Sequence, residues 1–202
     1  MKIILFSSPT PLSKEADLIR SYLDCGIEYF HLKKPLLPEN ALLRLIELIG
    51  DEHREKIALH SHHHIARPLG IKRLHFPEIL RDNTPAEDFE NLLDQGFHLT
   101  TSVHSFGTLE NLPNHFHYVF MGPIFPSISK KGYGAPFEAS KWNQVKEVNT
   151  PLIAIGGLNK EKLPIIKDLG FSGAALLGSV WKSTYPQAME EIRASLEFEK
   201  NV

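Results

Sequence analysis

The sequence predicts an α/β protein folded as a single (β/α)8 TIM barrel, and three observations carry that expectation. Short apolar runs of strand length alternate along the chain with longer stretches of helical period. About eight units of each kind are present, which suits a closed barrel better than an open sheet. The chemically unusual residues stand where strands end and loops begin, and in a barrel that is the C-terminal mouth where function resides.

Ile3 to Phe6 reads as the first strand, and Ser13 to Leu23 as a helix with apolar Leu18, Ile19, Tyr22 and Leu23, stopped at Gly26. Tyr29 to Leu32 is the second strand, and Glu39 to Ile49 a helix entered through Pro38 and closed by Gly50. Ile57 to His60 is the third strand, followed by a weak helix through Ile65 and a fourth strand, Leu74 to Phe76. Pro85 to Leu93 reads as a helix, His98 to Val103 as strand five and Tyr118 to Met121 as strand six. A helix around Trp142 to Val148 leads to strand seven, Leu152 to Ile155; Lys160 to Leu169 leads to strand eight, Ala174 to Leu177. The last helix spans about Pro186 to Phe198. No linker or composition break interrupts the pattern, so residues 1–202 are expected to form one domain.

The 202 residues are 42% hydrophobic and 23% charged, the balance of a globular protein. With 22 Lys plus Arg against 24 Asp plus Glu, the net charge of -2 supplies no global basic field for nucleic acid or an anionic membrane. Any anion must therefore be bound locally. The single cysteine, Cys25, cannot form an internal disulfide, and no apolar run approaches the roughly 20 residues that span a bilayer. Met1 to Phe6 is a short apolar run followed by Ser and Pro, unlike a signal peptide, so a cytoplasmic location is expected.

Candidate chemistry gathers at the expected strand ends. Gly156-Gly157 and Gly178-Ser179 follow the last two strands, where small residues let backbone N–H groups approach a phosphate. The competing reading is that these glycines simply make tight turns. The loop Gly122 to Gly132 sets Ser127, Ser129, Lys130 and Lys131 between glycines, which suits a flap over an anion as well as a solvated loop. His104, in Ser102-Val103-His104-Ser105, is a candidate proton carrier near neutral pH. Lys33 and Lys34 could bind a second anion or be merely solvated. If the chain stays extended, His60, His62 and His64 share one face and could ligate a metal with His31, His75 or His104, but no metal is assigned. His60, His62 and Ser102 are also placed in the pocket. Cys25 reads as a small buried hydrophobe, and Phe125, Phe137, Trp142 and Trp181 as packing or as the walls of a flat pocket.

Taken together, Phe30-His31-Leu32-Lys33-Lys34, Ser102-Val103-His104-Ser105, the Gly122 to Gly132 loop, Pro151 to Gly157 and Leu176-Leu177-Gly178-Ser179 resemble the thiamin phosphate synthase and TenI superfamily over most of the chain. The resemblance implies that Ser127, Ser129, Lys130, Gly157, Gly178 and Ser179 hold the phosphate of a hydroxyethylthiazole phosphate, and it is compatible with a homodimer. It also implies one of two activities. Synthases join a pyrimidine diphosphate to the thiazole phosphate with Mg2+, using an Arg-x-Lys motif, an Asn-Asp pair and a further aspartate. Those positions read Lys33 and Pro35, His60 and Ser61, and about Leu80 here. Magnesium prefers hard oxygen ligands, so these replacements weaken the synthase expectation. The Ser-Val-His-Ser run and His75-Phe76-Pro77 resemble the TenI branch, thiazole tautomerases that need no cofactor. The expectation is therefore a tautomerase with His104 as acid and base; the alternatives are a synthase using Mg2+ and a non-catalytic thiazole phosphate binder.

Overall fold

The structure, a computed structural model, describes residues 1–126 and 144–202. Eight parallel strands close into a barrel in chain order: β1 (Lys2–Phe6), β2 (Tyr29–Leu32), β3 (Ile57–Leu59), β4 (Arg73–Phe76), β5 (His98–Val103), β6 (Tyr118–Met121), β7 (Leu152–Ile155) and β8 (Gly173–Leu176). The register Ile3↔Ala174 and Ile4↔Ala175 seals β8 against β1. The fold is the expected TIM barrel.

Strand alternation divides the core in two. Ile4, Phe6, Tyr118, Phe120, Ile153 and Ala175 point into the barrel, whereas Ile3, Leu5, Phe30, Leu32, Val119 and Leu176 point outward beneath the helices. Each fully buried aliphatic or aromatic side chain contributes roughly 1.5–3 kcal/mol against exposure. The outer shell comprises α1 (Glu15–Asp24), α2 (Glu39–Ile49), α3 (Glu78–Asp82), α4 (Ala86–Asp94), α5 (Phe106–Glu110), α6 (Leu163–Asp168), α7 (Gly178–Trp181) and α8 (Tyr185–Lys200). Leu42, Ile46 and Ile49 form the buried stripe of α2. That helix ends at Gly50, whose φ of 101° suits glycine. Thr184 and Gln187 close the first turn of α8 reciprocally, as a capping box.

Several elements differ from expectation for local reasons. The third unit carries no α-helix: His62 adopts a left-handed φ of 53°, and only a 3-10 turn, His63–Ile65, follows. The alternation is therefore not strict. The stretch from Lys160 splits into a 3-10 turn, Lys160–Lys162, and α6, because Pro164 lacks the N–H that a continuous helix would use there. β3 ends at Leu59 and β8 at Leu176, one residue earlier than expected in each case. Of the helix expected around Trp142 to Val148, residues 144–147 form a 3-10 turn, and Trp142 lies outside the described residues. Among the described residues, no helix is long and apolar enough to cross a membrane.

Candidate functional site

A trio of histidines from adjacent strands is buried in the barrel. His31 lies on β2, His60 directly after β3 and His75 on β4, and all three are buried. His31 Nδ1 and His60 Nε2 are hydrogen-bonded at 2.9 Å, and His31 Nε2 meets the Tyr118 hydroxyl at 2.7 Å. The His60 and His75 rings stack with centroids 4.0 Å apart. The His75 tautomer follows from its partners. Thr100 donates its hydroxyl proton to the Leu74 carbonyl, so it accepts from His75 Nδ1–H, and His75 Nε2 accepts from Ser102 Oγ at 3.2 Å. Burial lowers His31 to about 3, with the Arg73 charge adding to the effect. It also holds His60 and His75 well below the usual imidazole value, each helped by the neighbouring imidazoles, which resist a second charge, and by Lys33. The three rings are therefore neutral at pH 7. Burial raises Tyr118, which keeps its proton. His60 Nδ1 is buried without a hydrogen-bond partner.

The structure takes the expected histidine cluster apart. Extended chain would have put His60, His62 and His64 on one face, but the strand ends before His60 and the backbone turns at His62. His60 enters the barrel, whereas His62 and His64 lie 3.4 and 2.8 Å from Glu39 on α2. His62 is therefore held at the helix shell, away from His60.

The two lysines after β2 also part. Lys33 is exposed at the mouth, while Lys34 is buried with Nζ 2.5 Å from Glu15 Oε1 and 2.8 Å from the Ser8 carbonyl. The Lys34 ammonium is thus engaged in a buried ion pair between two barrel units, while Lys33 is the exposed one of the two.

The glycine turns do come together. β7 and β8 are neighbours with Ile155 opposite Ala175, so Gly156-Gly157 and Gly178-Ser179 emerge side by side. Gly156 and Gly157 have φ of 100° and 64°, and the segment after β6 lies directly on them. Ile124 N donates to the Ile155 carbonyl, and a Cβ on Gly157 would stand 2.6 Å from the Pro126 carbonyl oxygen. Close backbone packing is therefore one reason for these glycines. Ser179 Oγ is buried, with the Glu191 carboxyl beside it. Lys162, not singled out from the sequence, donates to the Gly157 carbonyl and stands 4.5 Å over the Phe125 ring. Ser127, Ser129 and Lys130, together with Phe137, lie outside the described residues.

His104 sits just beyond β5 at the rim. Its Nδ1 donates to the Gly122 carbonyl at 2.8 Å, which orients the ring and leaves Nε2 as the nitrogen able to exchange a proton. Ser105 caps α5 through Thr108 N rather than contacting His104. Trp181 donates Nε1–H to the Phe6 carbonyl at 2.6 Å and packs on Tyr22, so it is structural. Cys25 is half-buried and free. Arg81 was also not anticipated: it is buried, bonds the Ser102 carbonyl at 2.9 Å and pairs with Glu78 and Asp82. Its one sequence signal is a cation facing two carboxylates on a short helix.

The family described as thiamine monophosphate synthase matches residues 4–180. A thiamine-phosphate synthase of Dictyoglomus turgidum is 25% identical over 186 residues, covering 89% of this chain and 81% of that protein. One from Bacteroides thetaiotaomicron is 26% identical over 179 residues, covering 82% and 83%. The crystal structure of a thiamine phosphate pyrophosphorylase from Bacteroides thetaiotaomicron superposes with a TM-score of 0.80 at 25% identity, over 99% of this chain and 98% of that one. Another, from Pyrococcus furiosus, has a TM-score of 0.77 at 16% identity and supports the fold.

Proposed function

The chain belongs to the thiamine monophosphate synthase and TenI family, and on that premise we propose that it is an enzyme of thiamin biosynthesis that holds a hydroxyethylthiazole phosphate at the barrel mouth. The observation that carries the reading is the pair of adjoining turns, Gly156-Gly157 and Gly178-Ser179, at the ends of the neighbouring strands β7 and β8. Backbone N–H groups and a hydroxyl at neighbouring strand ends suit a phosphate, and Lys162 adds a cation beside them.

Of the two reactions in the family, the names of the relatives favour the synthase, which joins the thiazole phosphate to a pyrimidine diphosphate. In that reaction Lys33 is the cation at the mouth that would face the diphosphate. Magnesium, which serves synthases, does not fit the donors present. The positions expected to carry its oxygen ligands hold His60, Ser61 and Leu80, and the carboxylates flanking Leu80, Glu78 and Asp82, are paired with buried Arg81.

The second reading, a thiazole tautomerase, is favoured by one observation, the orientation of His104 by the Gly122 carbonyl. A ring held at Nδ1 and free at Nε2 can take a proton from one position of a bound thiazole and return it to another. Acid-base catalysis of this kind is worth on the order of a hundredfold to ten-thousandfold.

The test is to assay one preparation for thiamin phosphate formation from both substrates with magnesium, and for isomerisation of the carboxylated thiazole phosphate. Thiamin phosphate formation supports the synthase. Isomerisation that falls at least about a hundredfold in His104→Asn supports the tautomerase. Binding without either reaction leaves a thiazole phosphate binder. If millimolar thiazole phosphate does not raise Tm, the phosphate site itself is refuted.

A further inference from the structure

We infer that His31, His60 and His75 form a binding site inside the barrel for one divalent transition-metal ion of the zinc class. The inference goes beyond the proposed reaction, for which no such ion is needed. Adjacent strand positions on β2, β3 and β4 bring the three rings together, each ring offers a nitrogen, and these nitrogens lie within 4.8 Å of one another. Three imidazoles suit zinc, copper, nickel or iron and disfavour magnesium or calcium, which take oxygen.

The surroundings resemble those of a ligating histidine. The ring nitrogens turned away from the cluster are anchored at 2.7 Å on the Tyr118 hydroxyl for His31 and at 3.0 Å on Thr100 for His75. Outer contacts of this type fix the tautomer and the angle of a metal-bound ring. His60 is the exception, with Nδ1 buried and unpartnered. His60 Nε2, which meets His31 Nδ1, is the nitrogen that would reach the ion.

The geometric change required is modest. Three nitrogens around a tetrahedral zinc at the usual bond length stand about 3.3–3.4 Å apart. The His31–His60 contact of 2.9 Å opens slightly, and the rest of the trio closes by ~1.5 Å at most. Ser102 Oγ, 3.2 Å from His75 Nε2, is the hydroxyl nearest that side of the site.

A second histidine group could mimic this behaviour, because His62 and His64 flank the Glu39 carboxylate at the surface. The test therefore uses full-length protein without a histidine tag, stripped with chelator and dialysed against zinc, with metal content measured per chain. One equivalent is expected in the parent and in the His62→Gln/His64→Gln double variant. Affinity is expected to weaken at least about tenfold in His75→Gln, whose amide can still reach Thr100. Cobalt in the parent should give the visible d–d bands of a four-coordinate site. Should His75→Gln fail to fold, the cobalt spectrum and the surface double variant decide. Loss of zinc in the surface variant, unchanged zinc in folded His75→Gln, or a parent that takes up neither zinc nor cobalt would overturn the site.

Discussion

Replacing Lys34 by methionine separates two roles that the sequence leaves open for this residue, anion ligand and internal brace. Its ammonium lies 2.5 Å from Glu15 Oε1 and 2.8 Å from the Ser8 carbonyl, and the two charged side chains are only 4% and 7% exposed. Methionine keeps most of the lysine stem's volume but strands a buried carboxylate and a buried carbonyl. Breaking a buried pair in this way costs about 3–5 kcal/mol. In a chain of this size each kcal/mol lowers Tm by about 2–4 °C, so a fall of about 6–20 °C is expected. Adding Glu15→Gln removes the stranded charge, and the double variant should recover at least about half of the loss, since neutral replacement of a buried ion pair is often tolerated. Urea unfolding followed by circular dichroism gives the cycle, and thiazole phosphate affinity is measured on the folded variants. That affinity should stay within about twofold, because the Lys34 ammonium is already held by Glu15 and the Ser8 carbonyl; each tenfold would correspond to about 1.4 kcal/mol of lost binding. A Lys34→Met protein as stable as the parent but with a tenfold loss of ligand affinity would refute the brace and restore the anion role.

Three shorter tests address the loop contacts, a buried acid and the ring below the mouth. Gly122→Ala places a Cβ 2.1 Å from the Ile155 carbonyl oxygen and 2.8 Å from Ile155 Cγ2, so overpacking should cost about 1–3 kcal/mol or more in urea unfolding; an unchanged midpoint would show that the loop yields freely. Burial raises the Glu191 carboxyl above its ordinary 4.5, with Lys160 partly opposing the shift. Its stabilising contribution is thus complete below pH 4.5 and is lost as pH rises through the folded value, so Glu191→Gln should gain on the parent as unfolding is measured from pH 4.5 to 7, and a shrinking difference would contradict this. Trp181→Phe removes the 2.6 Å bond to the Phe6 carbonyl while keeping a ring against Tyr22, and should cost about 1–3 kcal/mol in thermal unfolding; no loss would mean that water or a neighbour satisfies Phe6.

Local periodicity was enough to find the barrel because each strand and most helices announce themselves within a few residues. Ile3 to Phe6 alternates between helix-facing and barrel-facing positions, and Leu42, Ile46 and Ile49 repeat at helical spacing. The same rule misplaced the histidines, because it assumes that an extended chain continues. Shared faces for His60, His62 and His64 follow only if the strand passes Leu59, and the left-handed turn at His62 ends that. What joins His60 instead is set by the register between strands, Phe30↔Ile57 and Leu59↔Leu74, which brings His31 and His75 beside it from 29 residues before and 15 after. Pattern within a strand tells which way a side chain points; the level at which it meets its neighbour depends on strand pairing. Lys34 shows the same limit, since a lysine after a strand reads as a mouth cation until its partner, Glu15 on another unit, is known.

The two histidine groups consequently occupy different environments in one barrel. His104 is exposed at the rim and takes its orientation from a loop carbonyl, whereas the trio is sealed below it and oriented by Tyr118, Thr100 and Ser102. A proton carrier needs contact with ligand and solvent, and only the rim provides both. A desolvated cluster of neutral imidazoles is poorly placed to exchange protons near neutrality but well prepared to donate lone pairs. On the two proposals, proton transfer would fall to His104 and ion binding to the trio. The sites share no hydrogen bond among the contacts described, so substitutions at His104 and His75 should act additively on stability.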